Sequence, residues 1–237
     1  MAAFEDLLTL QAHDTAADRL RHRRAALPER ITLAEQAAAR LDLEAQLAEA
    51  TARRDEVARE ERRLDDEIRS LDAKAKAEEA RMYSGTISSP RELQAMQSDV
   101  EQLRRHARQL EDQELEVMER REVAEAEVAR LEAARAEVQT EMDRLSAIIA
   151  EEEAVIDAEL ALELEAREAL LSGIPQSMLG LYEEVRAANR GVGAARLVGP
   201  TCQGCHLALP ATEVDRIRHL PPDAMARCDH CGAILVR

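Results

Sequence analysis

Apolar residues in this chain recur every three and four positions for most of its length, and that period decides the fold class. From Leu93, alternate steps of three and four reach Glu159 through twenty positions, of which fifteen are Leu, Met, Val, Ile or Ala. A repeat of 3.5 residues sustained for so long predicts a helix that buries a narrow seam against another helix. The same spacing runs through Leu43, Leu47, Ala50, Val57, Leu64, Ile68, Leu71, Ala75 and Met82. A second stripe, from Leu27 and Ile31 through Ala34, Ala38, Leu41, Ala45 and Ala48 to Ala52, keeps heptad spacing on another phase. It predicts a phase shift near residues 41–52, or a wider buried face there that meets a third segment.

Two interruptions divide the pattern. Pro28, in "RAALPERI", cannot donate the i→i−4 bond, so the helix should break or kink near Leu27 and leave residues 3–26 as a shorter helix. The second is "MYSGTISSPREL", residues 82–93, with the first glycine of the chain at Gly85. Ser89 suits an N-cap, Pro90 the first helical position and Glu92 the capping-box position, while Gly85 suits a left-handed C-terminal residue. Residues 84–89 are therefore expected to be the tip of an antiparallel coiled-coil hairpin. Each arm holds roughly 80 residues, or about 120 Å of helix.

The expected register sets Leu71 by Leu103, Leu64 by Leu110, Val57 by Val117, Leu47 by Val128 and Leu43 by Leu131. It also places Glu61 by Glu114 and Arg54 by Arg121 in the seam. These long side chains either reach each other diagonally or run out to solvent. Two separate chains could satisfy the same pattern; the short loop favours a hairpin within one chain.

After Gly173 the heptads stop. "IPQSMLGLYEEVRAANRG" reads as one short helix, with Pro175 near its start, Asn189–Gly191 closing it, and Met178, Leu181, Tyr182 and Val185 on its buried face. "AARLV", "HLAL" and "AILV" suit short strands, and "TEVDRIRHL" suits a turn or two of helix. The expected organisation is mainly α: a hairpin over 1–173, kinked near Pro28, then a short helix and a small β-containing module over 174–237.

That module holds all four cysteines, as Cys202-Gln-Gly-Cys205 and Cys228-Asp-His-Cys231. Two C-x-x-C hooks so spaced bring four thiolates to one tetrahedral site, which suits structural Zn²⁺. Gly204 and Gly232 are expected to permit the tight backbone. A rubredoxin-type iron site uses the same spacing, and a redox dithiol needs a thioredoxin-like βαβ context that the pattern lacks. His206 and His230 adjoin cysteines, yet four thiolates already fill the shell. A module this small and poor in aromatics is expected to draw much of its folding energy from the metal.

"LPERI", "MYSGTISSPRELQAMQSDVEQL", "IPQSMLGLYEEVR", "CQGCHLALP" and "RCDHCGAIL" together resemble a bacterial family built from a long helical hairpin and a C-terminal C4-type zinc ribbon. The resemblance covers essentially the whole chain. It implies a non-enzymatic protein, and it implies the roles proposed for family members: RNA or DNA binding, and association with an alternative sigma factor. No residue set of this sequence is assignable to that last partner.

Charge narrows the function. The net charge is −16, yet residues 173–237 hold seven Arg against six acids. An acidic rod does not wrap nucleic acid, so phosphate contacts would fall to the ribbon: Arg196, Arg216, Arg218 and Arg227, with His219 and Arg237 nearby. The interleaved Glu213, Asp215 and Asp229, and the two negative charges of a Zn(Cys)₄ centre, oppose this. The other class is a protein-binding scaffold that docks partners at the ribbon and at the tip, where Tyr83, Thr86 and Ile87 stand out in a chain that is 1% aromatic. His13, His22 and His106 lie on the predicted coil without a pocket, and no Gly-rich phosphate loop is present, so no enzyme is expected. The N-terminus lacks the pattern of a signal peptide and no apolar run reaches membrane-spanning length; the expected setting is the cytoplasm.

Overall fold

A computed structural model describes residues 2–85, 87–221 and 224–237. Its elements are α1 (Ala2–Ala25), α2 (Pro28–Met82), α3 (Pro90–Leu171), α4 (Gln176–Ala188), β1 (Ala194–Val198), β2 (Thr201–Cys202), α5 (Ala211–His219), β3 (Ala226–Arg227) and β4 (Ile234–Val236). Packing divides the chain into two compact units, Leu33–Arg144 and a second made of Met1–Thr32 with Leu145–Arg237.

The first unit is the paired stretch of α2 and α3. Leu64, Ile68 and Leu71 pack with Ala107, Leu110 and Val117, and with the half-buried Val57 and Leu103. Further along, Ala50, Val128 and Leu131 gather with Leu43 and Leu47. These groups follow the expected antiparallel register. Of the polar layers, Arg121 takes the diagonal route, its Nη1 donating to Glu61 Oε2 at 2.9 Å. Arg54 instead turns to Asp55 on its own helix, Nε donating at 2.9 Å. At the turn, Gly85 has φ +72°, the left-handed conformation expected of it, and the Leu93 N–H donates to the Ser89 carbonyl at 3.1 Å.

The second stripe of α2 behaves differently from either expectation. Ala34, Ala38, Leu41, Ala45, Ala48 and Ala52 are all exposed. Meanwhile Leu33, Gln36, Arg40, Leu43 and Leu47 are half-buried and Ala50 is buried. The seam therefore keeps one phase, with no shift at residues 41–52. Gln36 and Arg40 occupy seam positions and hid the continuity; Arg40 Nη1 donates to Gln139 Oε1 at 2.8 Å.

In the second unit, α1 ends where proline forbids continuation. The Ala26 N–H still reaches the His22 carbonyl at 2.9 Å, and Pro28 opens α2 as its first residue. The result is two helices rather than one kinked helix. α1 then packs on the end of α3, with Arg24 Nε donating to Asp157 at 2.9 Å and Arg167 Nε donating to Asp14 at 2.8 Å.

The strands form one sheet in the order β2-β1-β4-β3, with β1 and β4 parallel and the outer pairs antiparallel. "HLAL" forms no strand, only a bridge between Ala208 and Thr201. Alternation along the central strands separates two cores. Ala194, Ile234 and Val236 face Phe4, Leu7, Leu10, Ile174, Met178 and Tyr182. Ala195 and Leu235 face Leu209, Val214, Ile217, Cys202 and Cys228. The sheet is thus covered by α1 and α4 on one side, and by α5 and the cysteines on the other. The expected boundary at residue 174 left α1 out of this core, although Leu7 and Leu10 are wholly buried in it. Among the described residues, no helix is long and apolar enough to cross a membrane.

Candidate metal centre

Two backbone turns of the same design hold the cysteines. In the first, the Cys202 N–H donates to the Leu207 carbonyl at 3.1 Å and the His206 N–H donates to the Cys202 carbonyl at 2.8 Å. In the second, the Cys228 N–H donates to Ala233 at 2.9 Å and the Gly232 N–H donates to Cys228 at 2.8 Å. Each turn needs a left-handed residue just after its second cysteine: His206 at φ +62° and Gly232 at φ +75°. Gly232 was legible as that residue. Gly204 also permits the tight backbone expected of it, through close approach rather than through a positive φ. A Cβ there would lie 3.0 Å from Ala195 Cβ and 3.1 Å from Val192 Cγ1, so Gly204 lets the turn sit against β1.

The four Sγ atoms lie within 4.8 Å of one another. Cys202 and Cys231 are 3.9 Å apart and Cys205 and Cys228 are 3.8 Å apart. A tetrahedron with Zn–S bonds of about 2.3 Å has edges of roughly 3.8 Å, so the donor set fits zinc without rearrangement. His206 and His230 are exposed and outside the cluster. Without metal, burial pushes the Cys231 thiol up to about 12 and raises Cys202, while the Leu207 backbone N–H lowers Cys205. Four thiolates leave no open position for a substrate or water, so the metal's chemistry here is to hold the fold.

Side chains of α1 fasten this module from the other face of the sheet. Gln11 Oε1 accepts the N–H groups of Gly193 at 2.6 Å and Ala194 at 3.2 Å, and its Nε2 donates to the Gly191 carbonyl at 2.8 Å. The Tyr182 hydroxyl donates to Asp14 Oδ2 at 2.6 Å. Burial first, then this carboxylate, holds the Tyr182 phenol well above its ordinary value. A Cβ on Gly193 would meet the Tyr182 ring at 2.5 Å. Sequence reasoning missed Gln11, Asp14 and Gly193. The available signal was the dense apolar run with the one Phe, Phe4 to Leu10, ahead of Pro28.

The remaining candidates are scattered in their commitments. Arg196 Nη2 donates to Glu5 Oε2 at 2.6 Å, Arg216 Nε to Glu213 Oε2 at 2.8 Å, and Arg227 Nε to the Gly232 carbonyl at 3.1 Å. Arg237 caps α5, donating to the Ile217 and Leu220 carbonyls at 2.8 and 2.9 Å. His219 Nδ1 lies 2.8 Å from the Asp215 carbonyl. Arg218 has no hydrogen-bond or ionic partner among the described residues. At the turn, Tyr83 is 86% exposed and Ile87 is half-buried, while Thr86 lies outside the described residues.

Residues 10–190 match the CT398-like coiled coil hairpin domain. The chain belongs to the CT398-like family. Residues 201–235 match the C4-type zinc ribbon domain, which together with the sulfur geometry assigns the site to structural zinc rather than to iron or a redox dithiol. The curated relatives named "Uncharacterized protein MT2288" and "Uncharacterized protein Rv2229c", both of Mycobacterium tuberculosis, are 29% identical over 100% of this chain and 96% of their own. A solved structure from Mycobacterium smegmatis is 30% identical, covers 100% of this chain and 97% of its own, and superposes with a TM-score of 0.87. CT398 of Chlamydia trachomatis shares the fold at a TM-score of 0.70 and 19% identity, over 99% of this chain and 97% of its own.

Proposed function

We propose that this protein is a non-enzymatic zinc-ribbon regulator that works by docking a protein partner, of the transcription-associated class that the family resemblance implies. The observation that carries this reading is the fate of the ribbon's arginines. Arg196, Arg216, Arg227 and Arg237 are spent on carboxylates and carbonyls of the same chain, so they offer little free cationic surface to a phosphate backbone. Tyr83, by contrast, is an aromatic side chain that is 86% exposed, the residue type that anchors protein interfaces.

A nucleic-acid reading has one observation in its favour. Arg216, Arg218 and His219 crowd the last turn of α5, and Arg218 is uncommitted among the described residues. The two readings separate in one experiment on the full zinc-loaded chain. Partners are captured from extract before and after nuclease, with the wild type, with Tyr83→Ala plus Ile87→Ala, and with Arg216→Ala plus Arg218→Ala. A protein that survives nuclease and is lost only in the tip variant supports docking. Binding that vanishes with nuclease or rising salt, and with the α5 variant, replaces it with the nucleic-acid reading.

A further inference from the structure

One groove of the metal-bearing unit gathers uncommitted positive charge, and none of the roles above uses it. It lies between the second half of α1 and the turn after α4, with a volume of about 380 Å³, and is lined by Arg19, His22, Arg23 and Arg190 with Thr15, Gly191, Val192 and one carboxylate, Asp18. The unit's arginines are otherwise engaged almost throughout. Arg21 donates to Asp18 at 2.9 Å, Arg23 to Glu152 at 3.2 Å and Arg186 to Asp18, and those named earlier have carboxylate or carbonyl partners. Among the described residues only Arg19, Arg190 and Arg218 of this unit have none. Two of those three line the same groove, in a chain whose net charge is −16.

The backbone adds an independent observation. Arg190 sits at φ +48°, where an L-residue other than Gly or Asn is strained. Gly191 follows at φ +92°, and the turn is held by the Asn189 side chain donating to the Val192 carbonyl at 2.9 Å. Turn chemistry alone favours glycine or asparagine at residue 190. An arginine held there at a conformational cost points to a task for its guanidinium.

We infer that this groove is an anion site for a small phosphorylated ligand, with Arg190 and Arg19 as phosphate-binding residues and His22 beside them. Guanidinium forks match phosphate oxygens in pairs, and neutral neighbours such as Val192 and the Thr15 methyl leave room for the rest of a compact molecule. A small ligand fits better than a long phosphodiester, because Glu152 and Glu159 flank Arg23 and repel a longer polyanion, while Asp18 in the groove wall is already neutralised by Arg21 and Arg186.

The test uses the full zinc-loaded protein, calorimetric titration with inorganic pyrophosphate and with ATP, and the variants Arg190→Gly and Arg218→Ala. Glycine accepts the φ of residue 190, so Arg190→Gly folds at least as well and a loss of binding cannot be ascribed to unfolding. The expected result is saturable binding at low salt, unchanged in Arg218→Ala and weakened about ten-fold or more in Arg190→Gly, as loss of a charge-assisted pair requires. Equal affinity for the two probes assigns recognition to the phosphates alone; tighter ATP binding adds a nucleotide. No saturable binding of either probe, or undiminished binding in Arg190→Gly, overturns the site. So does a single-stranded oligonucleotide that binds more tightly than ATP and depends on Arg190. The outcome is independent of the docking reading, which is measured at Tyr83 and Ile87.

Discussion

At the residue scale the metal centre is a pair of identical turns filled by different residues. His206 and Gly232 do the same backbone work at φ +62° and +75°, but only glycine does it without strain. His206→Gly should therefore stabilise the protein by roughly 0.5–1 kcal/mol, and Gly232→Ala should destabilise it by about 1–2 kcal/mol, each read as a shift in thermal midpoint at saturating zinc. The cysteines make a second prediction. Cys231 is pushed up to about 12 and Cys202 upward by burial, so at neutral pH the metal-free site still holds protons. Zinc binds thiolate and must displace them. Apparent zinc affinity should accordingly rise with pH and fall on acidification; competition with a chelator at two pH values checks the sign.

At the scale of elements, heptad spacing in α2 supports two stripes and cannot choose between them. The choice belongs to α3, whose buried Leu110, Val117, Val128 and Leu131 meet only one of them. Leu64 is 2% exposed and Leu41 is 68% exposed, though both belong to apolar heptad stripes. Leu64→Ala should cost about 2–4 kcal/mol and Leu41→Ala less than about 0.5 kcal/mol in denaturant unfolding. The break at Pro28 and the turn at Gly85 were legible because each rests on a local backbone constraint. The polar seam positions Gln36 and Arg40 were not, since nothing local marks a polar residue as facing another helix.

For the whole molecule the main consequence is that the ribbon does not stand alone. Phe4, Leu7 and Leu10 share one core with Tyr182, Ala194 and Ile234, and Gln11 satisfies the N–H groups that open β1. Residues 174–237 expressed without α1 should bind zinc yet unfold at lower temperature and digest faster than the same region of the full chain. Adding a strong chelator to the full chain should remove the ribbon's protease resistance and leave most of the helical circular dichroism, because the seam of α2 and α3 contains no metal ligand. The sequence by itself determined the long helices, their interruption, their register and the four zinc ligands. Each of these follows from periodicity, from proline and glycine stereochemistry, or from the spacing of soft donors along the chain. Only the tertiary structure decided which stripe is buried, that α1 completes the ribbon's core, and which arginines are free. Those depend on what residues far apart in sequence meet in space, and burial and pairing across such distances leave no local mark.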